Sequence, residues 1–514
     1  MIIVSWVCMS GTQPANDPDL TPIQQFGEGI ADRVERWMPS PFLFAILLTY
    51  VAALAAFLSE GAGAVEIATS WYGGFWDLLE FGMQMVLILV TAFVVAYHPR
   101  VKGVIDFLVR LPKNGRQAVV LVGVGAMLTG WISWGLGLIF GAILAREMGK
   151  YAEETGMSIH YPLVAVAGYL GMSLTWGWGM SSSAGLLQAT DGNVFMEQGV
   201  VDSVIPATEW VFHPYPITLT VLSILYASVV LYLLCPPKEN RRGFSEYVTG
   251  QELEDALDDS AADTGSQRGA GAGTDVSADG GVKQEAEQVP EETTADGSTE
   301  SSESKDPADK INNSKILGGV LALTGVVLFG RAFVTEGLGA LDLNVLNFGF
   351  LMVGLILYTS PIDYLEEFYD AVQSSAGIIL QFPFYAGIIG IMTGTGLVNT
   401  MTEFLLSIAT PATFPVIAWI TAAIMNVFVP SAGGEWTIIG GPMMTAGQEL
   451  GIPHGQTIAA YSVGDAHTNL FNPFWAIPLL AITGLKAREM FGYAITMMII
   501  LTPFLAVALY VIPY

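Results

Sequence analysis

The chain of 514 residues is 52% hydrophobic and only 13% charged, with a mean hydropathy of +0.52. Soluble domains carry about 25% charged residues, so a water-soluble enzyme or binding module is excluded and an all-α polytopic membrane protein is expected. A net charge of −27 leaves no nucleic acid among the expected partners, and two cysteines, Cys8 and Cys235, make neither a disulfide framework nor a metal cluster.

The start, MIIVSWVCMSGTQPAND, has a short apolar run and no basic n-region, so it is not read as a cleaved signal peptide. Residues 1–41 are expected to form an N-terminal segment with an amphipathic lead-in. About eleven apolar stretches follow, at 42–58, 76–97, 117–147, 161–188, 214–235, 315–334, 345–359, 372–396, 413–445, 456–482 and 490–513. A helix crosses the hydrocarbon with about 20 residues. Residues 117–147 and 413–445 are therefore too long for one upright helix, and each is either a tilted helix or a hairpin that dips in and returns.

Cytoplasmic loops collect Lys and Arg. Arg33 and Arg36 precede the first apolar stretch, and Arg100, Lys102, Arg110, Lys113 and Arg116 crowd the 98–116 loop, whereas 59–75 has no basic residue. With Arg146 and Lys150 at the end of the third stretch, 117–147 has both flanks inside and reads as a re-entrant hairpin. Lys238, Arg241 and Arg242 bring the chain back to the cytoplasm at residues 236–314, which are rich in Asp, Glu, Gly, Ser and Thr. Such a tract cannot bury enough apolar surface to fold and is expected to be a disordered cytoplasmic linker. Scarce lysine and abundant carboxylates suit a salty cytoplasm and point to a halophilic, archaeal source.

The second half continues the alternation, with 413–445 as a hairpin opened from outside, Lys486 and Arg488 inside, and Tyr514 outside. Arg331 is the misplaced charge, and the 360–371 loop is acidic where basic residues are expected. Segments 42–58, 76–97, 117–147, 161–188 and 214–235 correspond in order to 345–359, 372–396, 413–445, 456–482 and 490–513 at an offset of roughly 280 to 300 residues. The expected fold is two inverted-topology repeats, 42–235 and 315–514 with an extra helix, each holding a re-entrant helical hairpin and a discontinuous helix. Repeats of this kind build secondary transporters that hold substrate and ion near the bilayer midplane.

In 413–445, Asn426, Pro430, Ser431, Gly433, Gly434 and Glu435 interrupt the apolar run. Proline removes a backbone donor and paired glycines loosen a helix, so this stretch is expected to be unwound. A carboxylate at that depth marks a functional site by default. The matching stretch of the first half offers Ser133, Trp134, Gly135 and Gly137. The two broken spans add Thr175, Trp176, Gly177, Gly179 and Ser181–Ser183, and then Asp465, His467, Thr468, Asn469 and Asn472. Half-helix N-termini attract anions, while unwound carbonyls and carboxylates coordinate cations. Ser133, Trp134, Gly135, Thr175, Trp176, Gly177, Ser431, Gly433, Gly434, Thr468 and Asn469 are thus the substrate candidates, and Asn426, Glu435 and Asp465 the ion-coupling candidates. No Lys or Arg lies mid-segment, which suits a monocarboxylate better than a dicarboxylate or tricarboxylate. Trp131, Trp134, Trp176, Trp178, Trp436 and Trp475 are candidates to wall a small apolar tail or simply to pack. Gln84 and Gln381 sit at matching places in the two repeats as helix bridges.

WYGGFWDLLEFGMQMVLILVT (71–91), WISWGLGLIFGA (131–142), LQFPFYAGIIGIM (380–392), NVFVPSAGGEW (426–436) and NPFWAIPLLAITGL (472–485) resemble the short-chain fatty acid transporter family over nearly the whole chain, from about residue 30 onward. The resemblance implies a plasma-membrane transporter of the ion transporter superfamily, with opposed hairpins, elevator-type motion and a homodimer. Its substrates would be acetoacetate, butyrate and similar acids, taken up by symport with Na⁺ or H⁺, and bound Na⁺ would be the one associated ion, with no cofactor. The chain departs from the family in its long acidic insert, and in Glu435 where bacterial members carry His. Asp465 stands where the family is expected to have a carboxylate. The alternatives are dicarboxylate, citrate or Na⁺/H⁺ exchange, a passive channel, and an intramembrane hydrolase using Asp465 with Glu435 or Ser431 with His467. No elbow-type serine motif or metal-ligand pair supports the last.

Overall fold

A computed structural model describes residues 41–248, 307–358 and 360–514. The amphipathic lead-in before residue 41 and the linker over 249–306 lie outside the described residues. Among the described residues all regular structure is helical. The first half holds α1 (Pro41–Ala55), α2 (Ala64–Gly74), α3 (Leu79–Tyr97), α4 (Pro99–Leu108), α5 (Gly115–Ile132), α6 (Trp134–Thr155), α7 (Tyr161–Leu170), α8 (Ser183–Ala189) and α9 (Pro214–Leu234). The second half holds α10 (Lys315–Glu336), α11 (Leu343–Tyr358), α12 (Pro361–Val372), α13 (Ala376–Thr395), α14 (Leu397–Ile408), α15 (Phe414–Phe428), α16 (Ala432–Glu449), α17 (His454–Thr468), α18 (Pro473–Thr483) and α19 (Ala487–Val511). Among the described residues six helices have the length and apolar composition to cross a membrane: α3, α5, α9, α10 with its extension to Ala340, α13 and α19. The stretches expected as loops at 59–75, 98–116 and 360–371 are themselves largely helical, in α2, α4 and α12, and α14 precedes the second overlong segment.

The two overlong segments each divide into two helices. Residues 117–147 break at Ser133, whose φ of −153° and ψ of 131° are extended. The arms fold back on each other: a Cβ on Gly137 would lie 2.3 Å from Gly130 Cα, and one on Gly141 3.0 Å from Ala126 Cβ. These pairs step outward from Ser133 as the arms of an antiparallel hairpin do, and small residues let the backbones close. Residues 413–445 break at Val429–Ser431, around Pro430, and the far ends meet where Gly447 approaches the Phe414 ring.

Here the structure corrects an expectation. Gly433, Gly434 and Glu435 are not unwound but form the first turn of α16. The paired glycines make room for aromatic rings instead. A Cβ on Gly433 would come within 2.9 Å of Phe81 Cε1, and one on Gly434 within 2.4 Å of Tyr385 Cδ2. Gly135 is likewise helical, in the first turn of α6.

The two discontinuous spans differ in form. After α7 the chain makes a π-helical turn over Gly171–Thr175, runs irregularly through 176–182 and re-enters a helix at α8. α17 instead stays regular through Thr468, so Asp465, His467 and Thr468 are helical rather than unwound. Its break is a 3₁₀ turn at Asn469–Phe471 followed by extended Asn472, because Pro473 cannot donate and pushes its predecessor out of the helical region. Both halves thus run helix, break, helix, helix, distorted turn, helix.

The first residues of the tract expected as a linker are packed against the helices. Residues 236–248 form a strap across the ends of α6, α7 and α18. Phe244 is buried edge-on to Tyr161 at 5.0 Å, Arg241 donates to the Ser158 carbonyl at 2.7 Å, and Ser245 donates to Glu153 at 2.8 Å. Phe244 and Val248 are buried and supply the apolar anchors of this strap. The Arg242 N–H donates to Nδ1 of buried His160 at 3.1 Å, and His160 is pushed down to about 3, by burial first and then by Arg242 and Arg241. Because this lies below the ~6.5 of a free histidine, the neutral ring's contribution is complete above pH ~6.5 and declines as pH falls toward the folded value. Amide exchange of 236–248, corrected for intrinsic rates, is expected to be several-fold faster at pH 5 than at pH 7.5, with His160→Asn flattening that difference. An equal pH response in the variant would remove His160 as its cause.

Candidate functional site

Breaking a helix leaves carbonyls and N–H groups without intrahelical partners, and at bilayer depth these need protein partners. At the end of α5, Ser133 N–H donates to Thr129 O at 2.9 Å and Met180 N–H to Trp131 O at 2.7 Å. The Thr175 hydroxyl donates to Met127 O at 2.6 Å, and the Trp134 N–H donates to Ser181 Oγ at 2.8 Å. The irregular segment 175–182 therefore seals the first hairpin tip. It also crosses the second half closely, since a Cβ on Gly177 would lie 2.5 Å from Ser462 O.

The second break is tied by side chains. The Asn426 amide donates to Asp465 O at 2.7 Å, Thr468 Oγ1 at 2.9 Å and Asn469 Oδ1 at 3.0 Å. Asn469 in turn donates to Met172 O at 3.2 Å, and Tyr169 donates to Asn469 O at 3.0 Å, joining the two distorted spans. Tyr461 donates to Ala432 O at 2.7 Å and holds the start of α16 against α17. Ser431 caps α16, accepting from the Gly434 N–H at 3.4 Å.

This accounting sorts the expected residues. Thr175, Gly177, Ser431, Gly433, Gly434, Thr468 and Asn469 have their polar or steric capacity engaged by the protein itself. Others keep buried polar atoms without a partner: Ser133 Oγ, the indole nitrogens of Trp134 and Trp176, both carboxylate oxygens of Glu435, Asp465 Oδ2 and Asn426 Oδ1. Ser133 and Glu435 are each 0% exposed and Asp465 2%. The Tyr461 hydroxyl bond to Ala432 O and the Tyr461–Trp436 ring contact at 4.5 Å hold α17, which carries Asp465, against the first turn of α16, which carries Glu435. Lys150 pairs with Glu147 at 3.0 Å, well along α6 from the tip, so that ion pair does not serve these two acids. Among the described residues no three His, Cys, Asp or Glu side chains gather as metal ligands would.

Of the six tryptophans, three come together. Trp134 stands 5.7 Å from Trp475 and 6.4 Å from Trp176, joining the first hairpin tip to both broken spans. Trp131 packs on Phe212, Trp178 donates to Thr220 at 2.9 Å, and Trp436 packs on Tyr461 at 4.5 Å. His467 is engaged through Nε2 with the Met498 carbonyl at 3.0 Å and is not aimed at Ser431. Gln84 donates to Asn344 at 2.9 Å and so bridges α3 and α11, whereas Gln381 accepts from Tyr385 at 3.0 Å within its own helix α13 and is not a helix bridge in that bond. The sequence reading missed the phenols of Tyr169, Tyr385 and Tyr461. Their signal was a polar ring in an otherwise apolar span, which packing explains equally well.

The sequence model of the short chain fatty acid transporter family matches residues 22–270 and 272–512. A candidate short-chain fatty acid transporter of Haemophilus influenzae is 30% identical over 483 residues, covering 93% of this chain and 97% of that protein. One of Escherichia coli is 32% identical over 463 residues, covering 90% and 94%. Among solved structures, the Alcanivorax borkumensis YdaH transporter aligns with a TM-score of 0.50 at 16% identity, over 91% of this chain and 98% of that one. Neisseria gonorrhoeae MtrF, described as an antimetabolite efflux pump, aligns with a TM-score of 0.54 at 15% identity, over 95% and 96%. At such identities the structural likeness is one of fold.

Proposed function

This chain belongs to the short-chain fatty acid transporter family, and from that premise we propose that it takes up acetoacetate, butyrate and similar monocarboxylates by symport with Na⁺ or H⁺. It is a multi-pass membrane transporter and not an enzyme. The observation that carries the coupled reading is the pair Glu435 and Asp465, buried beside a helix break with three carboxylate oxygens unpartnered. Buried carboxylates without a basic partner call for a cation or a proton. In this reading the acids load the ion, the opposed hairpins are re-entrant and the halves are inverted. One bundle moves past the other to carry ion and substrate across, with the strap on the cytoplasmic face. The shared order of elements in the two halves supports the repeat.

The test is uptake of labelled butyrate or acetoacetate into proteoliposomes under imposed Na⁺ and pH gradients varied independently. Accumulation above the external concentration, driven by one of the two gradients, is expected. Failure to accumulate any two- to six-carbon monocarboxylate would overturn the proposal. Competition by succinate or citrate but not by butyrate would reassign the substrate to a dicarboxylate or tricarboxylate. Flux that never exceeds the gradient would indicate a channel.

A further inference from the structure

The two helices that leave the hairpin breaks, α6 and α16, have unlike N-termini. Each presents the positive end of a helix dipole. At α16 that end is already supplied: Ser431 Oγ accepts the Gly434 N–H, and Glu435 stands in the first turn. At α6 the first turn has no acidic residue, and Ser133, in the N-cap position, makes no capping bond. Ser133 is 0% exposed and its Oγ has no partner. Of the first four N–H groups of α6, Trp134 donates to Ser181 and Gly137 to Ser133 O. The groups of Gly135 and Leu136 remain for a ligand. Beside them stand the indoles of Trp134, Trp176 and Trp475, with the nitrogens of the first two unpartnered.

We infer that the carboxylate of the substrate is received at the N-terminus of α6, by the Ser133 hydroxyl and the Gly135 and Leu136 N–H groups, with its alkyl tail against Trp134, Trp176 and Trp475, while the α16 end serves the cation. The inference rests on the uptake reading above and divides its labour between two tips that sequence symmetry makes equivalent. An anion placed at α16 would meet the Glu435 carboxylate, whereas at α6 it meets donors. No basic side chain is needed, because a helix N-terminus with a free hydroxyl is itself an anion site. Ser431, Gly433 and Gly434 then shape the cation end and do not touch the substrate.

Proteoliposome uptake with Ser133→Ala, Ser133→Thr, Ser431→Ala and Trp475→Leu separates the roles. Loss of one hydrogen bond to a charged group corresponds to about a tenfold change, so Ser133→Ala is expected to raise KM for butyrate about tenfold with the ion dependence unchanged. Ser133→Thr, which keeps the hydroxyl, is expected to stay within about twofold of the parent. Ser431→Ala, which removes the cap at the cation end, is expected to raise the ion concentration for half-maximal uptake and, at saturating ion, to raise KM for butyrate less than Ser133→Ala does. Trp475→Leu is expected to shift the ratio of hexanoate to butyrate inhibition several-fold, a readout that a purely structural indole would not move. An equal rise in KM for both serine variants, or none for Ser133→Ala with an unmoved chain-length ratio, overturns the inference while uptake by the parent stands. Absence of any monocarboxylate uptake by the parent overturns both readings. Should Ser133→Ala fail to fold, Ser133→Thr and Trp475→Leu decide: a parental KM with a shifted ratio supports the subsite, and an unshifted ratio overturns it.

Discussion

Glu435→Gln and Asp465→Asn are each expected to lower ion-stimulated uptake by at least about tenfold, equivalent to about 1.4 kcal/mol of lost coupling. Both acids are buried beside a helix break, with three oxygens between them lacking partners. An amide keeps the shape and removes the charge that a cation or proton would neutralise. The measurement is initial uptake against Na⁺ at fixed pH and against pH at fixed Na⁺, with Trp131→Phe and Trp436→Phe as nearby controls. The amide variants should flatten one of the two dependences and leave the other, and that contrast names the coupling ion. Unaltered ion dependence in both would withdraw the coupling role from this pair. Asn426→Ala belongs to the same experiment as a positioning variant. Its amide holds Asp465 O, Thr468 and Asn469 together, so its loss is expected to weaken folding and coupling together.

The other large effect is on folding. A Cβ on Gly141 would lie 2.1 Å from Gly168 O, and one on Gly168 would lie 2.5 Å from Gly141 O. The obstacles are backbone atoms, which no side-chain rotation relieves, so α6 and α7 would have to separate. Gly141→Ala or Gly168→Ala is expected to destabilise by about 3 kcal/mol or more, read as a lower thermal midpoint and less monodisperse protein in detergent. Gly103→Ala is the paired control. Gly103 lies within α4 and a Cβ there meets nothing within 4 Å, so the change should be neutral or stabilise by about 0.5–1 kcal/mol. Equal loss in all three variants would show that close packing of α6 on α7 is not what confines these positions.

Much of the architecture is legible in local composition. Segments 117–147 and 413–445 are too long for one crossing, and their breaks fall at Ser133 and Pro430, where the intruding residues stand. The conformation around those breaks is not legible there, because glycine has two uses in a membrane helix. Gly433 and Gly434 loosen nothing; they stay helical and admit the rings of Phe81, Phe382 and Tyr385. Which use applies depends on neighbours about 50 to 350 residues away in the chain. The same holds for Asp465, which composition places in a break and which closes its helix intact four residues before it.

The sequence by itself determined that this is a helical membrane transporter of one family, built with interrupted spans and with carboxylates set among them. Those properties follow from hydropathy, proline and motif, which act over a few residues. Only the tertiary structure decided which polar atoms are engaged and which stand open. Thr175, Ser431 and Asn469 look as available as Ser133 in the sequence, yet their hydrogen bonds are taken by Met127, Gly434, Asn426 and Met172. A hydrogen-bonding group at bilayer depth takes whatever partner packing brings within about 3 Å, and that choice is made by the whole fold.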